Sequence, residues 1–173
     1  MAVATGMFGL GMAPANATTF QSCKIVTGTI TMSPGLSSTT TSDQKVTIKG
    51  TEKSCTPSAK TGGTGVYTSV LVLKHANCAT LAKGNITFKG HGQTKWKNGK
   101  ISKYNVTYHD GSGTIDKIET VTMVGNVASG LFAGKKLTAG FKINAAGANN
   151  GACTSTPFKS APWKQTKAWT IHS

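Results

Sequence analysis

The chain has 173 residues, and 19 basic residues against 5 acidic ones give it a formal net charge of +14. All of the basic residues are lysines, because the sequence contains no arginine. Five acidic residues leave little material for paired-carboxylate catalysis or for a hard-cation site, so both classes are disfavoured. Leu, Ile, Val and Phe number 32 of 173 residues, just under the roughly 20% that with high net charge indicates disorder. Regular alternation of apolar and polar residues nevertheless favours a folded β domain with a small core.

The first 17 residues carry no charge and are predicted to be a signal peptide. Residues 2–13 are apolar and small, and Ala15-Asn16-Ala17 fits the A-x-A cleavage pattern. Pro14 makes the segment shorter than the about 20 apolar residues of a transmembrane helix, and a buried N-terminal strand or helix is the alternative. Since no positive residue precedes the apolar stretch, we expect a truncated leader. We expect residues 18–173 to form a single extracellular domain that can associate with the cell wall.

Alternation and turn residues predict about eight β-strands after the leader. In chain order, the segments are 22–32, 44–52, 66–74, 85–89, 94–96 with 101–108, 114–127, 136–143 and 163–171. The last of them places Trp163, Trp169 and Ile171 on one face, and the one helix candidate is a turn at residues 78–82. Short strands between turns indicate a sandwich or a barrel. Ser and Thr on the outer faces favour an immunoglobulin-like antiparallel β-sandwich.

The strongest local signal is a hairpin at Trp96-Lys97-Asn98-Gly99-Lys100. Asn-Gly between two strand-like segments is typical of a type I′ turn, in which both central residues have positive φ. The sequence therefore predicts that segments 94–96 and 101–108 are adjacent antiparallel strands.

The four cysteines are predicted to form two disulfides, because an even number in an exported chain indicates a covalent framework. No CxxC motif occurs, so a zinc site is disfavoured. Cys23 begins one predicted strand and Cys55 ends the next, and their sulfurs meet if the two strands are antiparallel neighbours. Of the three possible pairings, this geometry favours Cys23–Cys55 together with Cys78–Cys153.

Several turn and cysteine motifs follow one another along the chain. They are Ser33-Pro34-Gly35-Leu36, Gly50-Thr51, Cys55-Thr56, Asn77-Cys78-Ala79-Thr80-Leu81, Trp96-Lys97-Asn98-Gly99-Lys100, Gly130-Leu131-Phe132-Ala133-Gly134 and Cys153-Thr154. In these motifs, from about Cys23 to the last strand, the chain resembles a group of small exported actinobacterial proteins, mostly hypothetical secreted proteins. The resemblance implies a small secreted β domain and carries over no catalytic residue.

The titratable side chains form no recognisable catalytic motif. They are His75, His91, His109, His172, Asp43, Glu52, Asp110, Asp116 and Glu119. No serine lies in a G-x-S-x-G motif, and His109 and Asp110 are strand neighbours, whose side chains point to opposite faces. The histidines also lack the spacing of metal ligands. We therefore expect no enzyme, no metal and no cofactor.

Five lysines around the predicted hairpin indicate a polyanion-binding face. The predicted binding residues are Lys89, Lys95, Trp96, Lys97, Lys100 and Lys103. The alternative is a solubilising surface, since lysine on edge strands also prevents sheet-to-sheet pairing. The charge of +14 exceeds the magnitude of about 2–8 that solubility needs, which favours binding. Because the arginine fork is missing, specific nucleic-acid recognition is disfavoured.

Together these patterns predict a secreted, non-enzymatic protein that binds the anionic cell envelope, or another acidic polymer, through lysine-rich strands. One alternative is a subunit of an extracellular protein assembly, such as a toxin complex or an adhesin, that pairs through an open strand edge. Another is an enzyme acting on carbohydrate or peptide, which would need a pocket holding at least two of five residues. Those five are His75, His91, His109, Asp110 and Asp116.

Overall fold

The computed structural model describes residues 17–84, 86–111, 118–144 and 157–173. The described residues form eight strands, which are β1 (Thr19–Leu36), β2 (Ser42–Thr56), β3 (Gly65–Ala76), β4 (Thr87–Trp96), β5 (Ile101–Asp110), β6 (Ile118–Gly130), β7 (Lys136–Asn144) and β8 (Phe158–His172). A short helix, α1 (Cys78–Leu81), follows β3 where the sequence predicts a helical turn. The predicted leader lies outside the described residues apart from Ala17. None of the described helices has the length and apolar character needed to cross a membrane.

A single antiparallel sheet closes on itself into a barrel. Each strand pairs with its sequence neighbours, and β1 also pairs with β8, in a register that places Gly28 opposite Trp163. The predicted immunoglobulin-like sandwich is therefore wrong, whereas the all-β class and the antiparallel pairing are confirmed. Both architectures bury one face of every strand, so the alternation along the chain is the same in the two. The barrel differs from the sandwich in that its first strand pairs with its last. This pairing cannot be predicted from the pattern of residues within one strand.

Aromatic side chains fill much of the barrel interior. The largest fully buried ones are Tyr67, Trp96, Tyr104 and Tyr108. The prediction that Trp163, Trp169 and Ile171 share one face is confirmed, and that face is the barrel interior, because all three are buried. The rings of Tyr67 and Trp169 meet edge to face, with their centroids 4.5 Å apart. Since each aromatic ring buries about 150–250 Å², these residues compensate for the small number of aliphatic ones.

Strand β4 is continuous where the sequence predicts two short segments. It runs through Gly90, His91 and Gly92, of which the two glycines face the interior and His91 is exposed. A Cβ atom on Gly92 would lie 2.9 Å from the Tyr67 hydroxyl oxygen. Glycine therefore occupies interior positions of β4 where a buried side chain from β3 needs the space. In the sequence the two glycines suggest a loop, but in the structure they belong to a strand.

The β4–β5 hairpin lies where the sequence predicts it, but its turn is of another type. Lys97, Asn98 and Gly99 form a three-residue turn, in which Gly99 N donates to Trp96 O and Trp96 N donates to Lys100 O, both at 2.9 Å. Positive φ occurs at Gly99 (82°) but not at Asn98, so the predicted type I′ turn is wrong. A three-residue loop that ends with glycine in the left-handed region gives this geometry.

A disulfide joins β1 to β2 near one end of the barrel. Cys23 and Cys55 are opposite one another in the strand register, and their sulfurs are bonded, so this predicted pairing is confirmed. The predicted second bridge needs Cys153, which lies outside the described residues. Cys78 at the start of α1 is buried and is not free. Within the described residues one disulfide is complete, and the pairing of Cys78 with Cys153 stays a prediction.

Candidate functional site

Lysines occur around the outer surface of the barrel, and every strand except β6 carries at least one. Among the carboxylates whose side chains are described, Glu52 and Asp110 are buried and Asp43 is exposed. Lys74 Nζ lies 2.6 Å from Asp43 Oδ2, and this is the one ion pair within the described residues. The hydrogen bond from Lys74 lowers the pKa of the Asp43 carboxyl. The barrel exterior is therefore basic with little compensation.

Five exposed lysines lie on β4, on β5 and in the turn between them, and we refer to them as the hairpin lysines. They are Lys89, Lys95, Lys97, Lys100 and Lys103. Trp96, which the sequence groups with them, is only 1% exposed, and its Nε1 donates a hydrogen bond to Ser102 Oγ at 2.8 Å. Trp96 therefore belongs to the core, and the predicted polyanion-binding face consists of the hairpin lysines alone.

Beside the hairpin lysines, a depression crosses the outer surface of β3 to β6, and we call it the outer groove. Its larger part has a volume of about 1100 Å³ and its smaller part about 510 Å³, and both include Val70, His91 and Asn105. Val70 is opposite His91, His91 is opposite Asn105, and Asn105 is opposite Asn126. Three interstrand spacings of about 4.8 Å make this row of four side chains roughly 14 Å long.

The outer groove combines polar, apolar and cationic groups. His91 Nδ1 and Asn105 Oδ1 lie 3.0 Å apart, and this hydrogen bond leaves Nε2 of the ring and Nδ2 of the amide for other partners. Val70 and Val124 are 37% and 43% exposed. The cations among the lining residues are Lys89, Lys103 and Lys136. No carboxylate is found among the lining residues that the structure describes.

Glycines in the wall account for the depression. Gly90, Gly92 and Gly125 all line the outer groove with backbone atoms. A Cβ atom on Gly125 would lie 2.4 Å from Asn105 O. A Cβ atom at Gly90 or Gly92 would likewise collide with backbone or with a buried side chain of β3, so glycine is needed where these groups come so close. Paired strands thus fix the shape of the groove.

The barrel end that holds the disulfide, which we call the disulfide end, contains a buried acid. Glu52 is fully buried and accepts a hydrogen bond from Thr94 Oγ1 at 2.9 Å. Burial raises the pKa of Glu52 to about 8, so its carboxyl is largely protonated at pH 7. Its Oε2 lies 3.8 Å from Cys23 Sγ. Cys23, Glu52 and Cys55 are close enough together to hold an ion, but the two sulfurs are bonded to each other and so are not metal ligands.

The opposite end, which we call the cavity end, contains a partly open apolar cavity of about 50 Å³. Its wall includes Val121, Ile143 and Leu81 of α1, and its polar groups are Tyr108 and Asp110. Burial raises the pKa of Tyr108 to about 12, so its hydroxyl stays neutral. An apolar cavity that binds benzene has a volume of about 150 Å³. The smaller volume here leaves no room for a ligand of that size.

The residues of the enzyme alternative do not converge on one pocket. His91 lies in the outer groove, while His75 and His109 are exposed at the end of β3 and on β5. Asp110 lines the internal cavity, on the other side of the barrel wall from His109. Asp116 lies outside the described residues. The described positions therefore bring no acid–base pair together.

Two residues of these sites were missed by the sequence analysis, Glu52 and Asn105. Glu52 continues the face of Val46, Ile48 and Gly50, so the alternation in β2 alone indicates that its side chain points inward. The position of Asn105 beside His91 depends on the cross-strand register of β4. The glycines on both sides of His91 concealed that strand.

Comparison with known proteins does not assign the chain to a group. No family model, curated protein or solved structure matches it. The fold and the site are therefore described by their own features: the described residues form a closed antiparallel barrel with a basic exterior and a groove across β3 to β6.

Proposed function

We propose that the protein binds an acidic polymer of the cell envelope through the hairpin lysines and does not act as an enzyme. The observation that carries this proposal is that all five hairpin lysines are exposed and none has a described carboxylate at ion-pair distance. The formal charge of +14 counts Glu52 as −1, so a neutral Glu52 makes the net charge +15. Such a charge attracts polyanions within about a Debye length of the surface, so the attraction reaches further at low salt.

The chemistry of the cation favours a polymer with repeated charge over a specific nucleic-acid sequence. Ammonium groups lack the planar fork with which guanidinium reads phosphate and base edges. One exposed ammonium group contributes little by itself, because water and salt screen it. Several groups that contact one chain release several counterions, which makes the attraction strong at low salt and weak at high salt.

The competing functions have less support. All eight described strands pair on both sides, which leaves no open edge for the assembly alternative. The described histidines and acids do not converge on one pocket, which disfavours the enzyme alternative. A secreted location is consistent with the Cys23–Cys55 disulfide, since such bridges persist in oxidising compartments.

Binding to isolated cell envelopes and to polygalacturonate, measured over a range of salt concentrations, tests this proposal. We expect binding at low salt that is lost progressively toward about 0.5 M. The decisive variant combines Lys95→Gln, Lys97→Gln, Lys100→Gln and Lys103→Gln. The matched control removes the same charge from the far side of the ring, on β1 and β8, with Lys24→Gln, Lys159→Gln, Lys164→Gln and Lys167→Gln.

The hairpin variant is expected to lose about tenfold in affinity at low salt and the control variant about threefold or less. Retention that does not change at high salt would contradict the electrostatic mechanism. Equal losses in the two variants would contradict the assignment to the hairpin.

A further inference from the structure

We propose that the outer groove is a specific binding site for a glycan or polyol chain that carries phosphate or carboxylate groups. The inference rests on the proposed function for the charge of the ligand, and it adds the place and the chemistry of recognition. A surface that is merely basic would bind any polyanion equally. The groove contains groups that discriminate among polyanions.

The hydrogen-bonded pair of His91 and Asn105 in the outer groove matches a ligand that carries hydroxyl groups. The contact of 3.0 Å between His91 Nδ1 and Asn105 Oδ1 joins these two exposed side chains across neighbouring strands. It leaves the Asn105 amide N–H groups as donors and the second ring nitrogen of His91 as a further hydrogen-bonding atom. A hydroxyl both donates and accepts, so adjacent hydroxyls of a sugar or polyol can pair with these two side chains at once.

The valines and lysines of the groove match the apolar C–H face and the acidic groups of such a ligand. Val70 and Val124 present methyl groups that are 37% and 43% exposed, on which the C–H face of a sugar or glycerol unit can lie. Lys89, Lys103 and Lys136 line the same groove, where an acidic group of the chain would find a cation. The described lining residues include lysines and no carboxylate, so the groove favours an anionic ligand over a cationic one.

The same lining disfavours a nucleic acid as the occupant. Sequence-independent binding of single strands uses exposed aromatic rings on which bases stack. Within the described lining, Tyr104 is the only Phe, Tyr or Trp residue, and its ring is buried with 1% exposure, while the exposed imidazole of His91 is hydrogen-bonded to Asn105. The groove is also formed before the ligand arrives, since paired strands and glycine backbone shape it, and binding therefore costs little ordering of the protein.

The test compares two variants that add the same negative charge at different places. Asn105→Asp adds it in the groove, and Thr29→Asp adds it at an exposed position of β1 on the far side of the barrel. The probes are oligo(glycerol phosphate), oligogalacturonate, inorganic polyphosphate and a neutral dextran oligomer, titrated by calorimetry at low salt. Both variants are first checked for wild-type melting temperatures and NMR spectra.

We expect Asn105→Asp to weaken binding of oligo(glycerol phosphate) or oligogalacturonate at least about tenfold, because the added carboxylate repels the ligand in the groove. Thr29→Asp is expected to weaken it less than about twofold, because a distant exposed charge is screened. Tighter binding of one of these two oligomers identifies phosphate or carboxylate as the acidic group. NMR shifts on binding are expected at His91 and Asn105.

The possible failures are distinguishable. If the wild-type protein binds none of the three anionic probes, both this inference and the proposed function are overturned. If it binds them, but the two variants lose affinity equally, the groove is not the site and the electrostatic function stands. If polyphosphate, which lacks hydroxyl groups, binds as tightly as oligo(glycerol phosphate) and with the same dependence on Asn105, the assignment to a glycan or polyol is overturned.

Discussion

The two ends of the barrel interior are built on different principles. The disulfide end contains polar groups with assigned partners, such as Glu52 with Thr94 and Trp96 with Ser102, beside a covalent bridge. At the cavity end Gln44 is also buried and hydrogen-bonded, but the cavity itself is lined almost entirely by apolar side chains and has about 50 Å³ of space. Hydrogen bonds and a disulfide demand fixed geometry, whereas apolar contacts tolerate gaps. We therefore expect the disulfide end to be sensitive to substitution and the cavity end to be tolerant.

The largest effect is expected from Trp96→Ala at the disulfide end. The substitution removes a fully buried indole and leaves Ser102 without its donor, so the free energy of unfolding should fall by about 3–5 kcal/mol. Urea denaturation measures it. Phe88→Ala, which changes a ring of the cavity end, is the comparison variant and should cost clearly less, because this ring is half-buried and lines a cavity. Equal losses would break the contrast between the two ends.

The next effect concerns the bridge between β1 and β2. The double variant Cys23→Ala with Cys55→Ala opens a loop with a sequence separation of 32 residues. Constraint of the unfolded chain over a loop of this length contributes roughly 3–4 kcal/mol. Denaturation of the double variant and of the wild type should show this difference. A loss below about 1 kcal/mol would mean that the bridge adds little to the disulfide end.

The buried acid predicts a specific dependence of stability on pH. The pKa of Glu52 is raised from 4.5 to about 8 by burial, so the folded state holds its proton where the unfolded state has released it. Its contribution is complete below pH 4.5, falls by roughly 1.4 kcal/mol per pH unit as the pH rises, and is lost above about pH 8.

Glu52→Gln should therefore remove this decline between pH 4.5 and 8, as measured by denaturation at a series of pH values. Asp43→Asn serves as the control, because Asp43 is exposed and its pKa is lowered, so its titration lies below this range. A decline that persists in Glu52→Gln would show that Glu52 is not its source.

The smallest effect compares two valines of the same strand. Val121→Ile adds a methylene group toward the cavity, and Val127→Ile adds one at the packed disulfide end. We expect Val121→Ile to raise the free energy of unfolding by no more than about 0.8 kcal/mol. The second should destabilise by about 1–3 kcal/mol, because a filled core must shift to accept it. If both cost the same, the cavity end is not the more tolerant one.

Much of the fold could be predicted from local patterns, and the errors have definite physical causes. The alternation of apolar residues identified the strands, and the position of cysteines at adjacent strand ends identified the Cys23–Cys55 pair. Barrel closure could not be predicted, because it depends on contacts between residues such as Gly28 and Trp163, which are far apart in sequence. The turn type was wrong because Asn-Gly occurs in two-residue and three-residue hairpin loops, and the strand register, which pairs Trp96 with Lys100, selects the three-residue loop.

The sequence predicts the positive charge of the candidate site, but it does not predict the outer groove. The hairpin lysines are visible as a cluster in the sequence, and the structure places them on the outer surface of β4, β5 and their turn. Trp96 was grouped with them because an aromatic residue near lysines has the same sequence signature in a binding face and in a core. The outer groove arises from inward-facing glycines and from the register of four strands, which only the assembled barrel defines.

The pairing of β1 with β8 has a consequence for how the chain acquires its structure. Thr27 lies opposite Lys164, a separation in sequence of 164 − 27 = 137 residues. Until the last strand has been made and released, the first strand has an unpaired edge, and the apolar lining of a half-built wall is open to water. Contacts this distant slow the folding of a chain and prolong the period in which it can aggregate. A chaperone, or a solubilising charge such as the one these lysines provide, would act during that period.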